Sequence, residues 1–493
     1  MWHDLVEDHV GDDPGVGRWQ MHRYDGRTAD AVERLFGDIL PDRRIKITGR
    51  RLRDQQQFVV GPDGRPDLRV NWCLDSPKWR NLDRLTQRDY GYSLQVWLNY
   101  LVTVLLNWWD VPDEAADEFL FWRVTDPANE QRIETGTFVR DLAGLRKFYK
   151  LAARFGVSDP FANLDPPRIV RHQDVKWLDP AGYARWRDLG IRGLDLSGRP
   201  DRWWHGRNEQ RDRAFCDGLY GTGLRISEWA TVVLPELPTY DRRRGFFTSM
   251  LADACAKGGY GHKYWIPRSA LQGVLAYVEG GRAAAIRRAR TEGRYEQFTD
   301  KRLVLAEHGS HAVTVSTDRG KPARERWNDV EPETRLRLFR ETEHGLEPVA
   351  LWLNEDGLPR DPRGWEHTFA TANERIRQLG LANFRCTAHM LRHSCALRWY
   401  AIGKLIKYAR LGHLTADEQR DFREEVGDIW HLVQTMLGHR DVETTKQVYL
   451  EPFRELEVEY LLAHADGFPV EAFMADVFAR HQWVRTDPLA AAQ

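Results

Sequence analysis

The chain has 493 residues, 42% of them hydrophobic and 29% charged, which is enough for roughly two to four packed domains and excludes wholesale disorder. Its 72 Lys+Arg and 73 Asp+Glu give a formal charge of -1, a sum that argues against a uniformly basic polyanion binder. The five cysteines, Cys73, Cys216, Cys255, Cys386 and Cys395, show no CxxC spacing, so a zinc ribbon is excluded and reduced thiols are expected.

The first residues, MWHDLVEDHVGDD, are acidic and lack the apolar centre of a secretory signal. The most apolar stretch, Ser93 to Trp109, is interrupted by Gln95 and Asn99 and is too short to span a bilayer. The expectation is a soluble protein of the cytoplasm.

In chain order, residues 1–84 are turn-rich and form an N-terminal extension of uncertain role. They hold one basic cluster, Arg43, Arg44, Lys46, Arg50, Arg51 and Arg53. A solvated loop and an extra DNA contact explain it equally well. From about Asp89 the pattern turns helical, and Tyr90 to Trp109 reads as a buried helix. The acidic start of VPDEAADEFLFWRV suits a helix N-terminus. Between Thr135 and Phe155, Phe138, Leu142, Leu145, Tyr149 and Ala152 make one apolar stripe. Arg146, Lys147, Lys150 and Arg154 lie largely off it, so that helix should offer a basic face. Gly, Asp and Pro in FGVSDPFANLDPP then break the helix, and a linker is expected near residues 160–180.

Beyond the linker, RNEQRDRAFCDGLYGTGLRISEWATVVL reads as two helical stretches around a Gly-Thr-Gly turn. Gly245 to Pro267 reads as two strands joined by GGYGH, with Lys257 ending the first strand. Residues 281–350 are charged and irregular, an insertion with some local structure of its own. Helical character resumes in GWEHTFATANERIRQLG. The fold class is therefore mainly α with a small antiparallel β-sheet (α+β). A helical domain spans 85–170. A second domain spans 171–493, with an insertion at about 281–350 and an acidic tail at 451–493.

Charge resolves along these divisions. Residues 131–270 carry a net +8 and residues 371–410 a net +7. Residues 111–130, 341–370 and 451–493 each carry a net -5, and residues 411–430 a net -4. Neutrality is a cancellation of blocks, and the two basic blocks are candidates to face phosphate. Basic residues are also mostly Arg, 60 against 12 Lys, which suits bidentate phosphate contacts.

Four short segments could carry chemistry, and each has a plain reading beside the functional one. In Gly221-Thr-Gly-Leu-Arg-Ile-Ser-Glu-Trp, Arg225 could simply pair with Glu228 at i+3. In Ala256-Lys-Gly-Gly-Tyr-Gly-His-Lys-Tyr-Trp-Ile-Pro, Lys257 could be a turn lysine that keeps a hairpin soluble. In Thr387-Ala-His-Met-Leu-Arg-His-Ser-Cys-Ala-Leu, His389 and Arg392 share a helix face. Leu391, Cys395, Trp399, Ile402 and Ile406 form the apolar stripe on another face, which leaves His389 and Arg392 without a packing reason. His393 could be a structural histidine. In Met436-Leu-Gly-His-Arg-Asp-Val-Glu-Thr-Thr-Lys-Gln-Val-Tyr-Leu, Gly438 closes one helix, His439 sits at the junction and Tyr449 follows ten residues later.

In this order the segments resemble the tyrosine recombinases, the phage-integrase family. TGLRISE, the Gly-flanked Lys between strands, HMLRHS and LGHRDVETT before a Tyr carry the resemblance, which covers about residues 85–460. Residues 85–170, notably TFVRDLAGLRKFYKLAARFGVSDPFANL, resemble that family's helical core-binding (SAM-like) domain, and residues 171–493 its catalytic domain. Two features depart from the family: the His439 to Tyr449 spacing is ten where nine is more frequent, and the insertion is long. Tyr460 is the alternative nucleophile.

The resemblance implies a site-specific recombinase or integrase of a phage or mobile element, acting on double-stranded DNA through a 3′-phosphotyrosyl link. Tyr449 would be the nucleophile, Arg225 and Arg392 the phosphate clamp, His389 and His439 the hydrogen-bonding and proton-exchanging groups, and Lys257 the acid for the 5′ oxygen. It implies no metal or other cofactor, a clamp with one domain on each side of the duplex, and DNA contacts from Arg146, Lys147, Lys150 and Arg154. It also implies a homo-tetramer on two DNA sites built through the C-terminal tail, with an accessory directionality factor possible. Other readings are a type IB topoisomerase-like nicking and closing enzyme, a catalytically silent DNA-binding protein of the same fold, and a protein unrelated to DNA.

Overall fold

The computed structural model of the protein describes residues 17–24, 56–165, 177–299, 301–308, 312–316, 322–411, 429–438 and 484–489. The chain divides into two units, residues 1–172 and 173–493. The basic cluster at 43–53, His439, Tyr449 and Tyr460 lie outside the described residues.

The first unit pairs two short antiparallel strands, β1 (Gln20–Arg23) and β2 (Gln57–Val60), beside helices α1 (Leu68–Asp75), α2 (Arg84–Thr103), α3 (Glu114–Val124) and α4 (Thr135–Ala152). Side-chain amides attach the strands to the helices. Asn71 of α1 accepts from the Val59 N–H and donates to the Val59 carbonyl, both at 2.8 Å. Asn99 of α2 does the same for Trp19 at 2.8 and 3.1 Å. Each amide satisfies backbone groups that would otherwise be buried unpaired. The described part of residues 1–84 is therefore built into the helical unit.

The apolar stripe of α4 packs inward as expected, with Phe138, Leu145 and Tyr149 fully buried. The Trp97 indole donates to the Tyr149 hydroxyl, which donates to the Trp108 carbonyl, so the two polar atoms in this aromatic core are paired. α2 begins and ends earlier than expected. Asp83 caps its N-terminus by accepting from the Thr86 N–H, and the chain leaves the helix at Leu105, which has a φ of 58°.

The second unit is mainly helical. It runs through β3 (Trp177–Leu178), α5 (Pro180–Gly190), α6 (Glu209–Thr222), the short α7 (Ile226–Ala230), an antiparallel hairpin of β4 (Phe246–Met250) and β5 (Lys263–Pro267), and α8 (Arg268–Tyr277). α8 continues through a π turn at Val278–Arg282 into α9 (Ala283–Thr291). After the insertion come α10 (Gly364–Gln378), α11 (Ala388–Leu411) and α12 (Ile429–Leu437). Phe215, Trp229, Trp352 and Trp365 are buried at its centre, and Phe215 and Trp365 stack at 3.4 Å.

The insertion, read from sequence as charged and irregular with some local structure of its own, holds a five-stranded sheet between Arg302 and Pro348, which the sequence reading did not resolve into strands. Its strands are β6 (Arg302–His308), β7 (Ala312–Ser316), β8 (Pro322–Arg326), β9 (Leu338–Thr342) and β10 (Gly345–Pro348), in the order β10-β9-β6-β7-β8. β6 and β9 are parallel and the other pairs antiparallel. Arg282, 2% exposed, anchors the sheet by donating to the Glu347 carboxylate and to the Pro348 and Ala350 carbonyls.

β11 (Val484–Arg485) pairs in parallel with β3, and Arg185 forms a bidentate pair with Asp487. These tail residues pack on their own unit. Residues 451–483 lie outside the described set.

Candidate active site

Arg225 occupies the N-cap of α7. The turn before it needs Gly223, whose φ of +69° ends α6 in the left-handed region. A Cβ there would fall 2.9 Å from Leu437 and 3.0 Å from the Cys395 sulfur. The turn thus lets α6, α11 and α12 approach closely.

Glu228 is the centre of the cluster and is fully buried. Its Oε2 accepts from the Arg225 N–H and its Oε1 from the Arg225 guanidinium, both at 2.8 Å. Oε1 also accepts from the Lys257 N–H at 3.3 Å, and Oε2 lies 4.0 Å from Arg392 Nη1. Burial alone would raise the Glu228 pKa, but Arg225 and Arg392 outweigh it and hold the carboxyl below its usual range. The i+3 pairing with Arg225 was visible in sequence; the reach to Lys257 and Arg392 was not.

Arg392 is 1% exposed, which overturns the view that it lacks a packing reason. Its Nη1 donates to the Gly223 carbonyl at 2.5 Å and its Nη2 to the Leu437 carbonyl at 2.8 Å. The start of α11 is buried on every face from Leu391 to Leu397, so no single stripe separates core from site there. The arginine ties the end of α6 to the end of α12, one residue short of Gly438.

His389 lies on the first turn of α11, against the His393 ring at 4.2 Å. The residue reaches solvent, yet desolvation and then the cations Arg392, Arg225 and Lys257 push its pKa below the ordinary value. The imidazole is thereby kept neutral near pH 7. His393 is buried and also meets Trp177 edge to face.

Lys257 is exposed in the loop between β4 and β5, seven residues beyond Met250. It does not end a strand. The ladder closes with the Leu251 N–H on the His262 carbonyl, and a 3-10 turn at Asp253–Cys255 follows. Arg225, Lys257, His389 and Arg392 are brought together by three separate stretches of chain, the last two residues both lying on α11.

His262 is an addition that sequence reading missed. Its ring packs on Gly438, where a Cβ would fall 2.3 Å away and where φ is +63°. Neither ring nitrogen has a hydrogen-bond partner among the described residues. Burial lowers its pKa against the pull of Glu228, and Arg392 lowers it further. Nothing in its sequence neighbourhood distinguished it from a turn histidine.

The four basic residues divide, with Arg146, Lys147 and Lys150 on α4 and Arg154 in the 3-10 turn Ala153–Phe155 that follows it. Arg146 donates to the Phe161 carbonyl (3.1 and 2.9 Å) and to the Leu164 carbonyl (2.5 Å), and the Arg154 guanidinium stacks 3.9 Å over Trp72. Both have intramolecular partners. Lys150 is exposed and Lys147 half-buried.

Among the described residues no group of His, Cys, Asp or Glu could hold a metal ion. All five cysteines are free and buried. No helix among the described residues is long and apolar enough to cross a membrane.

No family model and no curated protein matches the chain. Among solved structures it is similar to the XerH site-specific recombinase bound to palindromic difH substrate in a post-cleavage complex, at 14% identity over 78% of this chain and 85% of that one, with a TM-score of 0.42. It is similar to the Tn1549 transposon integrase in complex with transposon right end DNA, at 13% identity over 80% of this chain and 97% of that one, with a TM-score of 0.45. It is similar also to the XerA recombinase, at 13% identity over 84% of this chain and 98% of that one, with a TM-score of 0.30.

Proposed function

We propose that the chain is a tyrosine-type site-specific recombinase. It would cleave and rejoin double-stranded DNA through a 3′-phosphotyrosyl intermediate, in the integration or excision of a phage or mobile element. One observation carries the reading: Arg225, Arg392 and the Lys257 N–H gather around the buried Glu228 carboxylate, and His389 lies within the electrostatic reach of Arg392, Arg225 and Lys257.

Cleaving a phosphodiester adds negative charge to the phosphate oxygens, and preorganised guanidiniums offset that charge without reorganising. Glu228 fixes Arg225 before substrate arrives, and the Gly223 and Leu437 carbonyls fix Arg392. The Tyr449 phenol, with an ordinary pKa near 10, attacks phosphorus and must lose a proton. His389, kept neutral by its surroundings, can accept a hydrogen bond or a proton, and His439, the residue after Gly438 in sequence, would share that role. The P–O5′ bond breaks as the Tyr449 ester forms, and Lys257 gives its proton to the departing 5′ oxygen. The ester keeps the bond energy, so the 5′-hydroxyl of a partner strand can displace tyrosine without ATP. Two DNA sites and strand exchange between them call for a homo-tetramer, and an accessory factor would set its direction.

The test uses duplexes spanning the two junctions of the genetic element that carries the gene. Arg225→Lys and Lys257→Ala should each lower strand cleavage by on the order of 10²–10³-fold while duplex binding persists. Full cleavage by both variants would overturn the assignment. Sequence-independent relaxation of supercoiled plasmid, without site-directed cleavage, would replace recombinase with a topoisomerase-like enzyme.

A further inference from the structure

The loop that carries Lys257 is held from outside by the insertion. Within the loop, Asp253 Oδ1 accepts from the Gly261 N–H at 2.6 Å, a chord between positions eight apart that encloses Lys257. The other oxygen, Oδ2, accepts from the Asn328 amide, and Asn328 Oδ1 accepts from the Asp253 N–H at 2.9 Å. Asn328 thus meets Asp253 through two parallel hydrogen bonds. It belongs to the 3-10 turn Trp327–Asp329 that follows β8.

That turn is fixed to the element bearing Arg225. Trp327 and Val330 are buried, and Arg335 is 1% exposed. Arg335 donates to the Trp327 carbonyl at 2.7 Å and the Val330 carbonyl at 2.9 Å inside the insertion. It also donates to the Thr231 carbonyl at 3.2 Å and to Glu236 at 2.7 Å outside it. Thr231 is the C-cap of α7, whose N-cap is Arg225 and whose third residue is Glu228. A continuous hydrogen-bonded path therefore runs from α7 through Arg335 and Asn328 to the Lys257 loop.

We propose that the insertion is a brace for Lys257, and that Asn328 is a positioning residue which holds the loop where the lysine can reach the phosphate clamped by Arg225. The loop needs such support. Gly258 and Gly259 sit at φ values of +85° and +74°, Lys257 is exposed, and glycine-rich backbone is the most costly to order. Without Asn328 the loop samples more conformations, and the fraction with Lys257 in place falls. A merely structural Asn328 would glue the insertion to the domain and leave proton delivery unchanged.

The consequence for catalysis rests on the recombinase reading, whereas the brace itself does not, so two measurements on the full chain separate them. Asn328 is exposed, so Asn328→Ala leaves the core intact. Hydrogen exchange of the amides from Asp253 to His262 should quicken about tenfold or more in this variant, with α6 and β7 unchanged. Unchanged loop exchange would overturn the brace. On the junction duplexes, Asn328→Ala should slow cleavage about 10- to 100-fold with binding intact, less than the roughly 10²–10⁴-fold that outright loss of a general acid gives, because the lysine is displaced and not removed. The loss should vanish, as it should for Lys257→Ala, when sulfur replaces the scissile 5′ oxygen, because a thiolate departs without a proton. An equal loss on oxygen and sulfur substrates would overturn the positioning role. If the wild-type chain cleaves no junction duplex, the recombinase reading fails and the exchange measurement still decides the brace.

Discussion

Glu228 is the residue on which the site depends most. It is buried among Arg225, Arg392 and the Lys257 N–H, so removing its charge leaves a buried guanidinium without a counter-ion. Glu228→Gln should cost about 3–5 kcal/mol of stability, read by urea denaturation, because breaking a buried pair is far costlier than losing an exposed one. A loss below about 1 kcal/mol would mean that the cluster is not the fixed unit described here. The pH dependence has a definite sign. A carboxyl held below its usual value stabilises the fold above the ordinary range near pH 4.3, and that contribution is lost as pH falls through the folded-state value. Part of this was legible in sequence, since Arg225 and Glu228 lie three apart at a helix start. The remainder was not, because Lys257 lies 29 residues from Glu228 and their bond exists only in the folded chain. Arg392 was misjudged for a different reason. A helix buried on all faces carries no stripe, so periodicity cannot tell a buried arginine from a solvated one.

Among the elements, α4 shows how far sequence pattern reaches. Its apolar stripe and its start at Thr135 follow from the spacing of Phe138, Leu142, Leu145 and Tyr149, whereas its last three expected residues, Ala153–Phe155, tighten into a 3-10 turn. Its basic face does not follow, because the pattern cannot see that Arg146 folds back onto the Phe161 and Leu164 carbonyls. Arg146→Ala should therefore destabilise the fold by about 1–3 kcal/mol, the cost of buried acceptors left unpaired, with little effect on DNA affinity beyond it. Lys150→Ala should leave stability within about 0.5 kcal/mol and weaken binding to duplex. Thermal denaturation beside a binding titration checks both, and the reverse pattern would return Arg146 to the DNA-facing side. The insertion was the least legible element. Pro-Ala-Arg-Glu-Arg of β8 is mostly charged, yet alternate residues are partly covered, and β7 with its two fully buried valines supplies the core. A strand with one wet face at a sheet edge looks like a charged loop until its partner is known.

For the whole molecule, the formal charge of -1 conceals basic blocks of +8 and +7, which hold Arg225, Lys257, His389 and Arg392. Binding to duplex should therefore fall steeply with salt despite the neutral total, with log K linear in log salt at a slope set by the phosphates neutralised. A flat salt response would show that these blocks do not meet DNA. Non-specific binding should stay weak, because the acidic segments at 341–370 and 451–493 oppose it. The central claim is that this chain attacks DNA with a tyrosine. The most direct measurement isolates the covalent protein–DNA adduct formed on an element-junction duplex and maps the modified peptide by mass spectrometry. The account predicts the phosphonucleotide on Tyr449, lost in Tyr449→Phe while duplex binding is retained. An adduct that survives in Tyr449→Phe and disappears in Tyr460→Phe would move the nucleophile, and cleavage with no protein-linked DNA would contradict the account.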